Sequence, residues 1–339
     1  MKSRAAVDSA IHSLLSEQQI NPVLMEVGAT GEPPTTWNKI AGQSTYVAIG
    51  PEAQPSRQDV LGDFKNSYFV KKIATITDTE RVLVNVTKDA SYSSILKPHP
   101  HAIRDFVVPD LAPESKLFLP AITLDAIVSS LSLPGIDWLH TNINGIDVPV
   151  FQSLTEATRR RVLAVDTCLD LVDSFVGQNS GVARYPEFVN EGFWCSRVFS
   201  YGPVRMRRES LARINALDGS IDQSYLSDYH RRTPGWLFVR FFRTVESLEE
   251  KASPPRDYLV LWTFALLDGQ VGFAADLLAA YERRFGVDRL LRAMQRETLT
   301  RFKGLRPGTS LITIAKKCFP APFRQVLRQI WRNFSSSVR

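Results

Sequence analysis

Apolar positions along the chain fall into two regimes. Up to about residue 200 they come as short, nearly unbroken runs closed by glycine, asparagine or proline; beyond about residue 205 they recur at helical spacing. Val7, Ile11, Leu14 and Leu15 predict an amphipathic helix over residues 4 to 19, within an N-terminal segment of residues 1 to 20 that Asn21-Pro22 ends. Val23 to Val27 reads as a buried parallel strand closing on the tight turn Gly28-Ala29-Thr30-Gly31. Pro33-Pro34 and Trp37 to Ile40 start a helix, since proline is tolerated in a first turn. Thr45 to Ile49 is a second strand, ending at Gly50-Pro51. Strand-like runs follow at Tyr68 to Ala74, Arg81 to Thr87, Asp137 to Thr141 and Arg161 to Asp166, with Lys116 to Pro120 a further short run. Helical segments at Leu124 to Leu131 and Val148 to Leu154 separate the later ones. This alternation predicts an α/β fold with an open, mainly parallel sheet covered on both faces.

The second regime predicts helices at Leu226 to Phe242, Tyr258 to Leu267, Gly272 to Phe285 and Asp288 to Phe302. The chain therefore divides into residues 1–20, an α/β domain over 21–203, an all-helical domain over 204–320 and a basic end over 321–339. Charge sharpens the last boundary. The net charge is +6, but residues 300 to 339 hold nine basic residues and no acid, leaving 32 basic against 35 acidic residues in the rest. A whole-surface nucleic-acid binder is not indicated, and no aromatic-basic interleaving supports one. Phe323, Val326, Leu327, Ile330, Trp331 and Phe334 share a helical face, with Arg324, Arg328 and Arg332 on a ridge elsewhere. Such a helix over 322–334 either packs on the helical domain or lies against an anionic membrane surface.

Three cysteines, Cys168, Cys195 and Cys318, lie far apart with no CxxC pair, so neither a disulfide framework nor a zinc site is suggested. Residues 1 to 19 lack the apolar core of a signal peptide, and no stretch reaches the roughly 18 consecutive apolar residues of a membrane span. A cytoplasmic protein is expected, its tail able to touch the inner membrane surface.

The first chemical feature is Glu26-Val27-Gly28-Ala29-Thr30-Gly31. Ligands of open α/β sheets sit outside the carboxyl ends of the strands, glycines there admit a close backbone approach, and an acid nearby can receive a cation. Taken alone the run is more often an ordinary tight turn than a cofactor loop. Three further stretches join it: Tyr46 to Glu52, Ala90 to Pro98 with its Ser93-Ser94 pair, and Thr123-Leu124-Asp125 followed by Asp137 to Asp147. In order and spacing these resemble the FkbM-type methyltransferases, a branch of the Rossmann-like enzymes that use S-adenosylmethionine. The likeness covers about residues 20 to 175.

The resemblance implies O-methyl transfer from S-adenosylmethionine to a hydroxyl of a small molecule or glycan, in surface-glycan or secondary-metabolite assembly. It places the cofactor at Glu26, Gly28, Ala29 and Gly31, with Gly50 and Glu52 at the tip of the second strand. It places acceptor contacts at Ser93, Ser94 and Asn144. The family's ribose-binding acid matches Gly50, which has no side chain, and the family's Asp at the end of the fourth strand matches Asn142. An amide orients a hydroxyl but cannot take its proton, so His140 and Asp147 are the titratable residues left to serve as base beside Asn142. Without the resemblance, His140 is a strand residue bonded to a loop, Asp147 an acid favoured by a helix N-terminus, and the serines a loop bonded to itself. These replacements keep open a second reading, a binding or scaffold protein on the same fold with its catalysis impaired. His99 and His101 flank Pro100 without a third ligand, so no metal site is expected. P-loop, HExxH and GxSxG motifs are all missing from the sequence.

Overall fold

The run Val23–Val27 forms strand β1, buried at all five positions because the sheet around it is covered on both faces. The computed structural model describes residues 2–29, 32–51, 53, 63–178, 181–229 and 232–304. Gly31, Glu52 and the basic end at 321–339, with the helix expected over 322–334, lie outside them. Beside β1 run β2 (Thr45–Ile49) and β3 (Asn66–Val70), all parallel and in register from Val23 against Thr45 and from Thr45 against Asn66. The chain then leaves the sheet. Strands β4 (Ile73–Ala74), β5 (Arg81–Thr87) and β7 (Pro113–Ile122) form a small sheet of order β4-β7-β5, while β6 (Phe106–Val108) stands apart from it.

After the helix Leu124–Ser130 the chain returns as β8 (Trp138–Thr141), parallel to β1 on its other side, and then as β9 (Ala164–Asp170), parallel to β8. Strand β10 (Phe193–Tyr201) becomes the edge, and β11 (Val204–Arg205) pairs with β6. Strand β12 (Trp236–Arg243) inserts between β9 and β10, antiparallel to both. The central order is β10-β12-β9-β8-β1-β2-β3. The protein is therefore α/β, with a mixed sheet of seven strands among the described residues. The helix expected over Leu226 to Phe242 is corrected: residues 236–243 are a strand, and the sheet draws on chain beyond residue 203.

Alternation assigns the faces. Leu24, Tyr46, Ala48, Trp138, Ala164 and Phe242 point to one side, and Val23, Met25, Val47, Leu139, Val165 and Phe241 to the other. The first face packs against the N-terminal helix, the 3-10 helix Trp37–Gln43 and the helices Pro255–Asp268, Val271–Phe285 and Arg289–Gly304. The second is covered by Leu124–Ser130, Asp147–Gln152 and Tyr185–Asn190. Every residue from Tyr258 to Asp268 is buried, so that helix is apolar all round and lies between the sheet and the outer helices. Leu261→Ala at its centre is expected to cost about 2–5 kcal/mol, through lost transfer energy and a cavity that its neighbours cannot fill. Urea unfolding followed by circular dichroism measures it. No helix among the described residues is long and apolar enough to cross a membrane.

Candidate active site

The parallel strands β8 and β9 end side by side, and the antiparallel β12 begins there. Their ends form the floor of a cleft of about 400 Å3, roofed by the excursion between β3 and β8. His140, Asn142, Asp147, Cys168 and Asp170 line the floor, and Tyr92, Phe106, Trp236 and Phe238 line the walls. The cleft lies over β8, β9 and β12, beginning one strand beyond the point between β1 and β8 where the strand order reverses. The carboxyl ends of the parallel strands are the side of an open α/β sheet on which ligands bind.

His140 belongs to a row of charged side chains that crosses the sheet one strand at a time. Register sets Glu26 opposite His140, His140 opposite Asp166, Asp166 opposite Arg240 and Arg240 opposite Arg197. Arg240 Nε and Nη2 donate to the two carboxylate oxygens of Asp166 at 2.7 and 2.8 Å, and Arg240 Nη1 donates to Asp268 Oδ1 at 2.8 Å. The guanidinium also lies over the Trp138 ring, 4.7 Å from its centroid. Burial works to raise the Asp166 carboxyl, but the Arg240 charge overrides it and holds Asp166 ionised below the usual carboxylate range. His140 Nδ1 is 3.6 Å from Asp166 Oδ2, an ion-pair distance slightly too long for a hydrogen bond. The ring reaches the cleft, with 14% of the side chain exposed.

The other floor residues are acids. Asp147 opens the helix Asp147–Gln152, and its Oδ1 accepts from the Ile143 N–H at 3.0 Å. The residue is 3% exposed, and its Oδ2 is sealed from water with no hydrogen-bond partner. Burial raises its carboxyl. Asp170, at the end of β9, is pushed up to about 7 by burial and by the neighbouring Asp147 charge, although it accepts a bond from the Gln178 amide. Burial and these two carboxylates raise the Cys168 thiol well above its ordinary value, which keeps it protonated.

Four of the residues singled out in the sequence thus meet: His140, Asn142, Asn144 and Asp147. Asn142 is exposed, its amide oxygen 3.9 Å from Cys168 Sγ. Asn144 is chiefly a tie. Its amide donates to the carbonyls of Ser91 and Ser93 at 2.9 and 3.1 Å, and its own carbonyl accepts from Ser94 Oγ at 2.7 Å. Ser94 Oγ also accepts from the Leu96 N–H, and Ser93 Oγ from the Thr87 N–H. The expectation that Ser93 and Ser94 contact an acceptor is corrected accordingly: their hydroxyls hold the loop together, and Ser91 lines the cleft instead. Asp166, Asp170 and Arg240 are the residues that sequence reasoning missed.

The residues expected to hold S-adenosylmethionine fare differently. Glu26 is 5% exposed on the helix-covered face, where Tyr46 donates to its Oε2 at 2.5 Å and burial raises its carboxyl. It does not reach the loop that follows β1. Gly28 has φ +85°, and a Cβ there would lie 2.1 Å from the Asn142 carbonyl oxygen, so the chain's own backbone requires that glycine. The Gly28 and Ala29 N–H groups both donate to the Ile49 carbonyl, and Ala29 and Gly50 are buried. The described part of this set offers neither a free backbone donor at Gly28 and Ala29 nor a carboxylate for a ribose. It does not fit the nucleoside half of the donor. Comparison of the chain with known protein families, with curated proteins and with solved structures finds no match.

Proposed function

We propose that the protein holds a hydroxyl-bearing small molecule, a carbohydrate or a relative of one, in this cleft and takes the hydroxyl proton on His140. That is the acceptor half that an O-methyl transfer from S-adenosylmethionine would need. The observation that carries the reading is the imidazole at the cleft floor with a buried, ionised Asp166 behind it. A carboxylate so placed stabilises the imidazolium that forms when the ring accepts a proton, and Arg240 fixes that carboxylate in turn. Asn142, exposed at the end of β8, supplies an amide to orient the hydroxyl. The sheet covered by helices on both faces, with the cleft at the carboxyl ends of its parallel strands β8 and β9, supports a Rossmann-like architecture.

A second reading has its own support. Gly50 and the sealed Glu26 leave the described donor positions without an accessible acid, as in a protein that keeps the acceptor cleft and no longer transfers a group. Two measurements separate the readings. Calorimetry with S-adenosylmethionine and S-adenosylhomocysteine tests donor binding, and transfer of a labelled methyl group to a panel of glycans tests turnover. His140→Asn is expected to lower turnover by about 10²–10⁴-fold while acceptor affinity stays within a few-fold. Donor binding without turnover on any acceptor decides for the binding protein. Turnover that survives in His140→Asn removes the histidine from its role.

A further inference from the structure

We propose that the molecule taken by the cleft carries a protonated amine, an organic ammonium on a short arm of a hydroxylated ring. This rests on reading the cleft as a ligand site and goes further in naming the ligand's charge.

Asp147 Oδ2 is the observation that points to a cation. The residue lines the cleft floor and is only 3% exposed; its Oδ1 is engaged by the Ile143 N–H, and its Oδ2 is buried with no hydrogen-bond partner. Buried polar atoms in folded proteins are paired, so this unpaired oxygen keeps acceptor capacity that a small rotation of the side chain turns toward a ligand on the floor. Asp170 stands beside it on the same floor, its carboxyl raised partly by the Asp147 charge, so the two acids repel and both gain from a cation placed between them and the opening. Among the described residues Arg232 is the one lysine or arginine lining the cleft, and its guanidinium is turned to the carbonyl and hydroxyl of Ser227. The imidazole of His140 is already matched by Asp166.

The walls suit the same ligand. Tyr92 and Trp236 meet edge to face, with centroids 5.9 Å apart, and Phe238 and Phe106 complete the aromatic lining. Ring faces attract an ammonium through their quadrupole and pack against the flat face of a ring. A volume of about 400 Å3 holds one ring with a short arm. A hydroxylated ring bearing an aminomethyl or aminoethyl arm would meet both acids with its nitrogen and leave a hydroxyl for His140.

The test uses pairs of probes that differ only in the amine: tyramine against tyrosol, and 6-amino-6-deoxyglucose against glucose. Binding to the full chain is followed at pH 8 by calorimetry. The amine is expected to bind about tenfold or more tightly than its neutral partner in each pair. Asp147→Asn and Asp170→Asn, each checked for an intact fold by its melting curve, are expected to erase most of that preference. Trp236→Leu is expected to weaken both members of a pair alike. Equal affinity within each pair, or a preference untouched in both aspartate variants, overturns the inference and leaves the cleft as a ligand site. If none of the four probes binds at about 10 mM, the inference fails. A glycan that is methylated all the same would keep the acceptor reading, and the absence of any methylated glycan would take that reading down as well.

Discussion

Replacing Arg240 by methionine is expected to destabilise the fold by about 3–5 kcal/mol, with a fall in Tm of roughly 10 °C in a scanning calorimeter. The loss is not that of a surface ion pair. Arg240 is 7% exposed and bonds two aspartates, Asp166 and Asp268, whose side chains are fully buried. Removing the cation leaves one or two carboxylates in a place from which water is excluded. Arg197, whose Nε is 3.0 Å from Asp268 Oδ1 on the open side, compensates one of them in part; Asp166 keeps only His140. The triple variant Arg240→Met, Asp166→Asn, Asp268→Asn is expected to recover most of the loss, because uncharged groups of similar volume need no counter-ion. A triple variant no more stable than the single one would show that the row holds the strands together by geometry and not by charge.

The same row fixes a sign for acid unfolding. Asp166 has a folded value below its unfolded one, so its contribution is present above the unfolded carboxylate value of about 3.9 and is lost as pH falls through the folded value. Asp170, Asp147 and Glu26 are raised and act oppositely: they oppose folding where they must be ionised, and this opposition fades as pH drops and they take up protons. The wild-type protein is therefore expected to lose little stability between pH 7 and pH 5 and to lose it steeply below about pH 4.

How far this was legible in the sequence depended on where the partners of each residue lie. β1, β2 and β8 announce themselves as short apolar runs closed by a glycine or an asparagine, since a strand buried on both faces needs nothing beyond its own residues to be recognised. β12 hides in the same way that it functions. Trp236 to Arg243 is apolar except for two arginines three apart, a spacing that also suits a helix, and those arginines find their partners across the fold. Arg240 meets Asp166 and Asp268, while Arg243 donates to the carbonyls of Val162, Glu191 and Arg159. The cleft was legible on the β8 side, where His140, Asn142 and Asp147 follow one another within eight residues. Asp170 was not, because an acid at the end of a strand gains meaning only from the acid that the neighbouring strand's loop sets beside it. Glu26 was legible as a carboxylate near a glycine turn and misleading as a ligand group, since pleating turns it into the helix-covered core.

Gly28 and Gly50 separate the architectural meaning of the β1 loop from its chemical one. Gly28→Ala places a methyl group 2.1 Å from the Asn142 carbonyl at a φ of +85°, so it combines a left-handed backbone penalty with overpacking, together roughly 3–5 kcal/mol. Because Asn142 also lines the cleft, the variant is expected to perturb acceptor binding and donor binding together, and its failure says nothing about a nucleoside. Gly50 is different. A Cβ there would stand 3.2 Å from the Ala29 carbonyl oxygen, which a shift of a few tenths of an ångström relieves, and its φ is one that any residue adopts. Gly50→Asp restores an acid where the resemblance expects one. If the protein still accommodates S-adenosylmethionine, two charge-assisted bonds to the ribose at about 1.5–3 kcal/mol each should tighten it by one to two orders of magnitude after the cost of ordering the side chain. Calorimetry on Gly50→Asp at matched stability reads this directly. A variant that folds as well as the wild type and binds no more tightly would show that the loop no longer accepts a nucleoside, and that the cleft works without the methyl donor.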